Sequence, residues 1–247
     1  MGSKGGLGHL KRLPAPWFWP IHRKERKWAP KPSPGAHGTS DCLPLELVLR
    51  ESLAQAKTRR EVAAILSRDK VRVDGRVRQD KNFPVGLMDV VELSDANVSY
   101  RVLPVRGKGL SLVRIAKDEA KFKLCKVLRK STETKGLIQY GMHDGRNLTV
   151  APTEAGAASY STNDTLKLSV PTQRVLDRMR FEKGNTALVV KGRNLGRTGK
   201  IVEVQQGTAT RPATVTIEDS AGSKFDTMVE HTFVVGTDKP SIKLEAS

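Results

Sequence analysis

Apolar positions along this chain change their period several times. Between residues 43 and 56, Leu45, Val48, Leu49, Leu53 and Ala56 recur at helical spacing, with Pro44 suited to a first helical turn. Thr58-Arg59-Arg60-Glu61 fits a capping box, in which hydroxyl and carboxylate satisfy free N–H groups at a helix start. A second helix carries Val62, Ala63, Ile65 and Leu66. The period then falls to two: Val71 and Val73 flank Arg72, Asp74-Gly75 supplies a turn, and Val90-Val91-Glu92-Leu93 forms a final strand. From 94 to 178, short runs at 99–103, 110–115, 138–140, 148–150 and 166–170 are bounded by Gly, Asp, Asn or Pro, the pattern of strands and turns. Residues 117–130 predict a short helix opened by Asp118-Glu119 that runs into a strand, because Lys121, Phe122, Lys123 and Leu124 alternate. Further strands fall at 187–190, 201–204, 214–217, 224–228 and 233–235, with Asp219 and Gly222 at a turn. The pattern is that of a multidomain α+β chain.

Residues 1–42 carry no such period. Glycine, proline and positive charge dominate, with too little apolar surface for a core, so this segment reads as an extension. Yet all three tryptophans, Trp17, Trp19 and Trp28, lie here. Two readings stay open: the rings fold back onto the following domain, or they dock into RNA or a neighbouring protein.

The 247 residues suffice for two or three small domains. The net charge of +17 favours an anionic partner, nucleic acid or membrane surface. Membrane is the weaker option, because the aromatic run at 13–21 is short and broken by Pro14, Pro16 and Pro20. Cys42 and Cys125 make neither a disulfide framework nor a metal pair, so a reduced, cytoplasmic protein is expected. The charge is uneven: net +6 over 1–42, +2 over 43–92, +8 over 93–180 and +1 over 181–247. Bulk affinity for an anionic partner is therefore expected from the extension and the middle.

Residues 184–204, GNTALVVKGRNLGRTGKIVEV, hold a loop with Gly192, Gly196 and Gly199 interleaved with Lys191, Arg193, Arg197 and Lys200. Glycine lets a backbone approach a ligand closely, and the cations favour a phosphate-rich one. A nucleotide-binding P-loop is excluded: Ile201 follows Gly199-Lys200 where Ser or Thr is needed, and Asn194 stands where the first glycine belongs. The segment resembles the KOW motif of small SH3-like barrels in ribosomal and transcription-elongation proteins. The helix–helix–strand–turn–strand order with KVRVDGRVRQD and GLMDVVEL resembles the αL RNA-binding module. In that module the second helix and the following turn meet RNA, which the resemblance carries onto Arg59, Arg60, Arg68, Lys70, Arg72 and Arg76.

Taken together, the order of parts resembles the archaeal and eukaryotic e-type small-subunit ribosomal protein four over nearly the whole chain. The matching stretches include DCLPL at 41–45, FPVGLMDVVEL at 83–93, EAKFKLCKV at 119–127, HDGR at 143–146 and GRNLGRTGKI at 192–201. The end of the chain after Ser241-Ile242-Lys243-Leu244 resembles archaeal members. The implied organisation is an extension at 1–42, an αL-type module at 43–105, a β-rich domain at 106–178 and an SH3-like KOW barrel at 179–247. The implied function is to bind and stabilise small-subunit ribosomal RNA beside neighbouring ribosomal proteins, without turnover, cofactor, metal, membrane or small-molecule substrate.

Expected RNA contacts outside the αL-type module are Lys4, Lys11, Arg12, Trp17, Arg23 and Lys24 in the extension. Lys121, Lys123, Lys126, Lys135 and Arg146 follow in the middle, and Lys191, Arg193, Arg197 and Lys200 in the loop. His143-Asp144 invites an acid–base reading, but no nucleophile accompanies it and a turn at Asp144-Gly145 fits better, leaving Arg146 to RNA or solvent. Cys125, among apolar residues, reads as core. The rival readings are a transcription-elongation factor, which shares the KOW motif, and an RNA-modification accessory, which shares the αL module.

Overall fold

The structure is a computed structural model that describes residues 8–22, 24–151, 160–208 and 210–244, apart from the Lys135 side chain. It is mostly β, with few and short helices. Two-residue strands Leu10–Lys11 and Trp28–Ala29 pair in the extension, and Cys42–Pro44 pairs with Pro84–Gly86. Pro44 thus ends a strand rather than sitting within a first helical turn. The helical stripe that follows is a single turn, Leu45–Leu47, continued by a wider turn, Val48–Ser52.

The helix Arg59–Ser67 begins as its sequence dictates. Thr58 Oγ1 accepts from the Glu61 N–H at 3.2 Å, and Glu61 accepts from the Lys57 N–H at 2.7 Å. Its apolar stripe buries Val62 and Leu66. The first five-stranded antiparallel sheet then runs in the order Arg76–Val77, Val71–Val73, Val90–Leu93, Val98–Val105 and Gly109–Ile115. Val71 and Val73 point inward and Arg72 outward, as a strand's period of two requires.

The second sheet orders Asn147–Val150, Ile138–Met142, Phe122–Thr132, Thr165–Ser169 and Val175–Met179. The short helix Lys117–Ala120 leads into its central strand. The third sheet orders Lys224–Met228, Thr214–Glu218, Thr198–Gln205, Thr186–Val189 and Thr232–Gly236.

Cores cross the unit boundaries. Ala15, Trp19, Ile21 and Ala29 of the extension share one apolar cluster with Leu45, Val62, Leu66 and Val91. The Trp19 indole N–H donates to the Cys42 carbonyl at 2.8 Å, so this ring has folded back. Trp17 and Trp28 remain 68% and 51% exposed. The fold-back reading thus holds for Trp19. A second cluster joins Met88, Leu103, Val113 and Leu124 to the C-terminal sheet through Leu188, Phe233 and Val235.

Candidate nucleic-acid interface

The net charge of +8 over 93–180 points to phosphate contact by the lysines of the strand Phe122–Thr132. The strand is instead buried on both faces through Val127. Lys123, 1% exposed, lies 2.9 Å from Asp74 Oδ2, 2.9 Å from Asp144 Oδ2 and against Asp89. Lys126, 2% exposed, donates to the carbonyls of Val229, Glu230 and Thr232 at 3.0, 3.1 and 2.8 Å. Neither reaches a partner outside the protein, because a buried ammonium must be matched inside and both are. Arg146 is corrected likewise: it bridges Asp74 at 2.5 Å and Asp144 at 2.9 Å, with its side chain 20% exposed.

These groups form a single interior hub of charge. His37 of the extension places Nε2 3.1 Å from each Asp89 oxygen, and Asp89 Oδ2 also accepts from the Gly86 N–H. Burial pushes the Asp144 carboxyl up, but Lys123, His143 and Arg146 outweigh it and hold it down to about 2. Burial likewise opposes ionisation of Asp89, and Lys123 and His37 hold it well below the usual carboxylate range. Burial lowers His143 to about 4. Its Nδ1 accepts from the Lys126 N–H at 3.2 Å and its Nε2 faces the Leu87 carbonyl at 3.2 Å, an arrangement that suits the neutral ring.

Cys125, His143 and Asp144 bring one donor atom each within 4.8 Å of one another. The chemistry of this set does not suit a cation: Lys123 sits on Asp144, and the His143 lone pair is taken by a backbone N–H. Burial, with the nearby Asp144, also pushes the Cys125 thiol well above its ordinary value, so it stays protonated.

The glycine-rich loop is turned partly inward. Gly196 has φ +79, and a Cβ there would lie 2.7 Å from the Arg106 nitrogen, so its close approach is to the chain's own hairpin. Arg197 pairs with Asp219 at 3.2 Å and lies 3.9 Å over the Phe225 ring. Lys191 pairs with Asp41 at 2.8 Å and Lys200 lies 3.6 Å from Asp238, while Arg193 is exposed.

The remaining expected contacts are spread over the surface. Lys11 and Lys24 are exposed, and Arg12 is turned to the Ile21 carbonyl at 2.9 and 2.6 Å. Lys4 and Arg23 lie outside the described residues, as does the Lys135 side chain. Arg59, Arg60, Arg68, Arg72 and Arg76 are exposed around the helix Arg59–Ser67 and the turn after Val73. Arg59 reaches Glu46 at 3.5 Å and the half-buried Lys70 reaches Asp95 at 2.5 Å; Arg60, Arg68 and Arg76 carry no ion pair among the described residues. Lys121 is exposed and pairs with Asp118 at 2.7 Å.

Other exposed cations lie in the middle region, Arg129 and Lys130 within the basic run expected to meet phosphate and the rest without an assignment from sequence. Arg106, Lys108, Arg114 and Lys117 follow the hairpin between Val98–Val105 and Gly109–Ile115. Arg129 and Lys130 stand where the long strand leaves the core. The Arg-Gly-Lys-Gly turn at 106–109, placed between two apolar strands, was the signal for the first group.

Comparison with known proteins places this geometry. Family models match as the ribosomal family S4e over residues 96–175, the RS4NT domain over 4–40, the S4 domain over 47–91 and the KOW motif over 183–218. The chain is similar to the small ribosomal subunit protein eS4 of Desulfurococcus amylolyticus, 45% identical over 99% of this chain and 98% of that one. Its similarity to eS4 of Methanocaldococcus jannaschii is 43% over 99% and 100%. A crystal structure of the 30S ribosomal protein S4e from Thermoplasma acidophilum superposes with a TM-score of 0.66 at 31% identity, covering 80% of this chain and 96% of that one. With matches of this extent to archaeal relatives, the chain belongs to the ribosomal S4e family.

Proposed function

We propose that this protein is a structural constituent of the small ribosomal subunit, cytoplasmic, that binds and stabilises ribosomal RNA beside neighbouring small-subunit proteins. The observation that carries the reading is the end-to-end likeness to small-subunit proteins named eS4. In this reading 43–105 acts as an αL-type RNA-binding module, 106–178 as a β-rich domain and 179–247 as an SH3-like barrel. Its α+β character lies in the helix-led module.

The contact surface is the exposed cation set rather than the buried one. Arg60, Arg68, Arg72 and Arg76 lie around one helix and one turn, where planar guanidinium groups meet phosphates bidentately. Lys11 and Lys24 of the extension, and Arg193 of the loop, extend that surface. Lys123, Lys126 and Arg146 position the units that carry it. Family membership carries no reaction, and the hub resembles a fixed ionic core, not acid–base machinery.

The test is binding of the full chain to small-subunit ribosomal RNA across a salt series. Affinity is expected to fall steeply with salt, and Arg60→Ala/Arg68→Ala/Arg76→Ala together should reduce the slope of log affinity against log salt by roughly 2–3. A slope unchanged by all three substitutions would remove this face from the interface. Co-sedimentation with RNA polymerase instead of the small subunit would reject the ribosomal reading itself.

A further inference from the structure

A cleft of about 660 Å³ opens between the extension, the second sheet and the C-terminal unit, and its lining differs from the charged surfaces around it. Leu110, Leu128 and Val190 supply apolar walls, with the buried Phe233 and Lys126, the latter already bonded to three carbonyls, at the bottom. At the mouth stand Trp17, 68% exposed, and Leu128, 55% exposed. Large apolar side chains left in water at the lips of one concave site call for an occupant.

We propose that this cleft holds one unpaired nucleobase of the bound RNA, stacked against Trp17. The inference rests on the ribosomal-RNA reading given above and adds the class of group the site takes. Three observations favour a base over a protein side chain or a small metabolite.

The first is the ring's support. Phe18 packs on Gly109, where a Cβ would lie 2.3 Å from the Phe18 Cβ, and Trp17 meets Phe18 edge to face at 6.0 Å. A flat, rigid aromatic face held at a mouth suits stacking, which accepts any base. The second is the polar edge. Lys191 of the loop and Asp41 of the extension, both half-exposed, pair with each other in the lining, while the His231 ring beside them in that lining has no hydrogen bond among the described residues. A solvent-exposed pair is exchangeable at small cost. It therefore offers a donor and an acceptor to the edge of a base. The third is charge: the exposed Arg193 follows two residues after Lys191, and the extension is net +6, which suits the phosphates flanking a splayed nucleotide.

The test uses the full chain and hairpin RNAs that carry a single unpaired nucleotide, each base in turn, against the same hairpin with an abasic site there. Wild-type protein should prefer the base-bearing hairpins. Trp17→Ala should cut that preference by about 5- to 100-fold, the range carried by a base on an aromatic ring. Trp17→Phe should keep most of it, and Trp28→Ala, an exposed tryptophan outside the cleft, should keep all of it. Leu128→Asp gives a second route to the same loss by charging the lip. Melting of the variants, unchanged for a side chain so exposed, separates this from unfolding. Equal binding of base-bearing and abasic hairpins overturns the cleft while RNA binding stands; binding of neither overturns the RNA reading. A photo-crosslinker at position 128 in assembled subunits should join to RNA, and a crosslink to a neighbouring protein instead would make the occupant a side chain and reject the proposal.

Discussion

Lys123→Met separates an interior role from an RNA contact. The substitution keeps an unbranched side chain of similar length and deletes only the charge. It leaves Asp74, Asp89 and Asp144 facing one another with Arg146 and His37 as the remaining partners. At an effective dielectric of about 20, each of the two 2.9 Å contacts is worth roughly 6 kcal/mol before desolvation. Desolvation of the ammonium takes back much of that, but in the variant the carboxylates stay buried without it. Breaking such a buried pair costs about 3–5 kcal/mol, so we expect a loss of that size. For a chain of this length that is roughly 6–20 °C in melting temperature. Lys121→Ala, two residues away on the exposed surface, should change stability by no more than about 0.5 kcal/mol. The assay is thermal and urea unfolding of both variants, beside a salt series of RNA binding at a temperature where both are folded. A phosphate-contacting lysine would lower the salt slope by about 1 with little change in melting. If Lys123→Met melts like wild type and lowers the slope, the hub does not hold Lys123 and the reasoning fails.

Three further outcomes are expected. Because His143 sits at about 4 when folded and near 6.5 when unfolded, the unfolded chain binds the extra proton first, so stability should be full above about pH 6.5 and decline towards pH 4; His143→Gln, which cannot titrate, should flatten that decline in urea titrations by pH. Gly196→Ala places a Cβ against the Arg106 backbone at φ +79 and should cost about 1–3 kcal/mol, read by urea unfolding, with a neutral result rejecting the packing. Trp19→Ala should cost about 3–5 kcal/mol and Trp28→Ala almost nothing in the same assay, and equal effects would contradict their burial.

Local rules made much of the fold legible. The capping box at Thr58, the inward Val71 and Val73, the helix-to-strand change at Lys121 and the C-terminal strands all depend on residues near one another in sequence, and all are present. The charge count failed at Lys123 because it treats every cation of the region as facing water. This strand has two dry faces, and the partners that make a buried lysine tolerable, Asp74 and Asp89, lie 49 and 34 residues upstream. A trace of this was present: Asp89 interrupts an apolar stretch in VGLMDVVEL, and a carboxylate there implies a cation from elsewhere. Asp74 was read only as a turn residue, which it also is, with φ 49. The exposed arginines of the S4-matching unit were legible because helix and turn alone place them outward.

The three carbonyls around Lys126 bear on how the chain is made. They come from residues 229, 230 and 232, more than a hundred positions later. During synthesis this ammonium has no acceptors from the C-terminal unit until nearly the whole chain has emerged. Closing a loop that long is slow compared with forming a hairpin, so the last strands to be translated complete the middle of the protein. A chain truncated before Val229 therefore lacks more than its C-terminal sheet; it leaves the Lys126 ammonium without the three acceptors that the finished protein supplies.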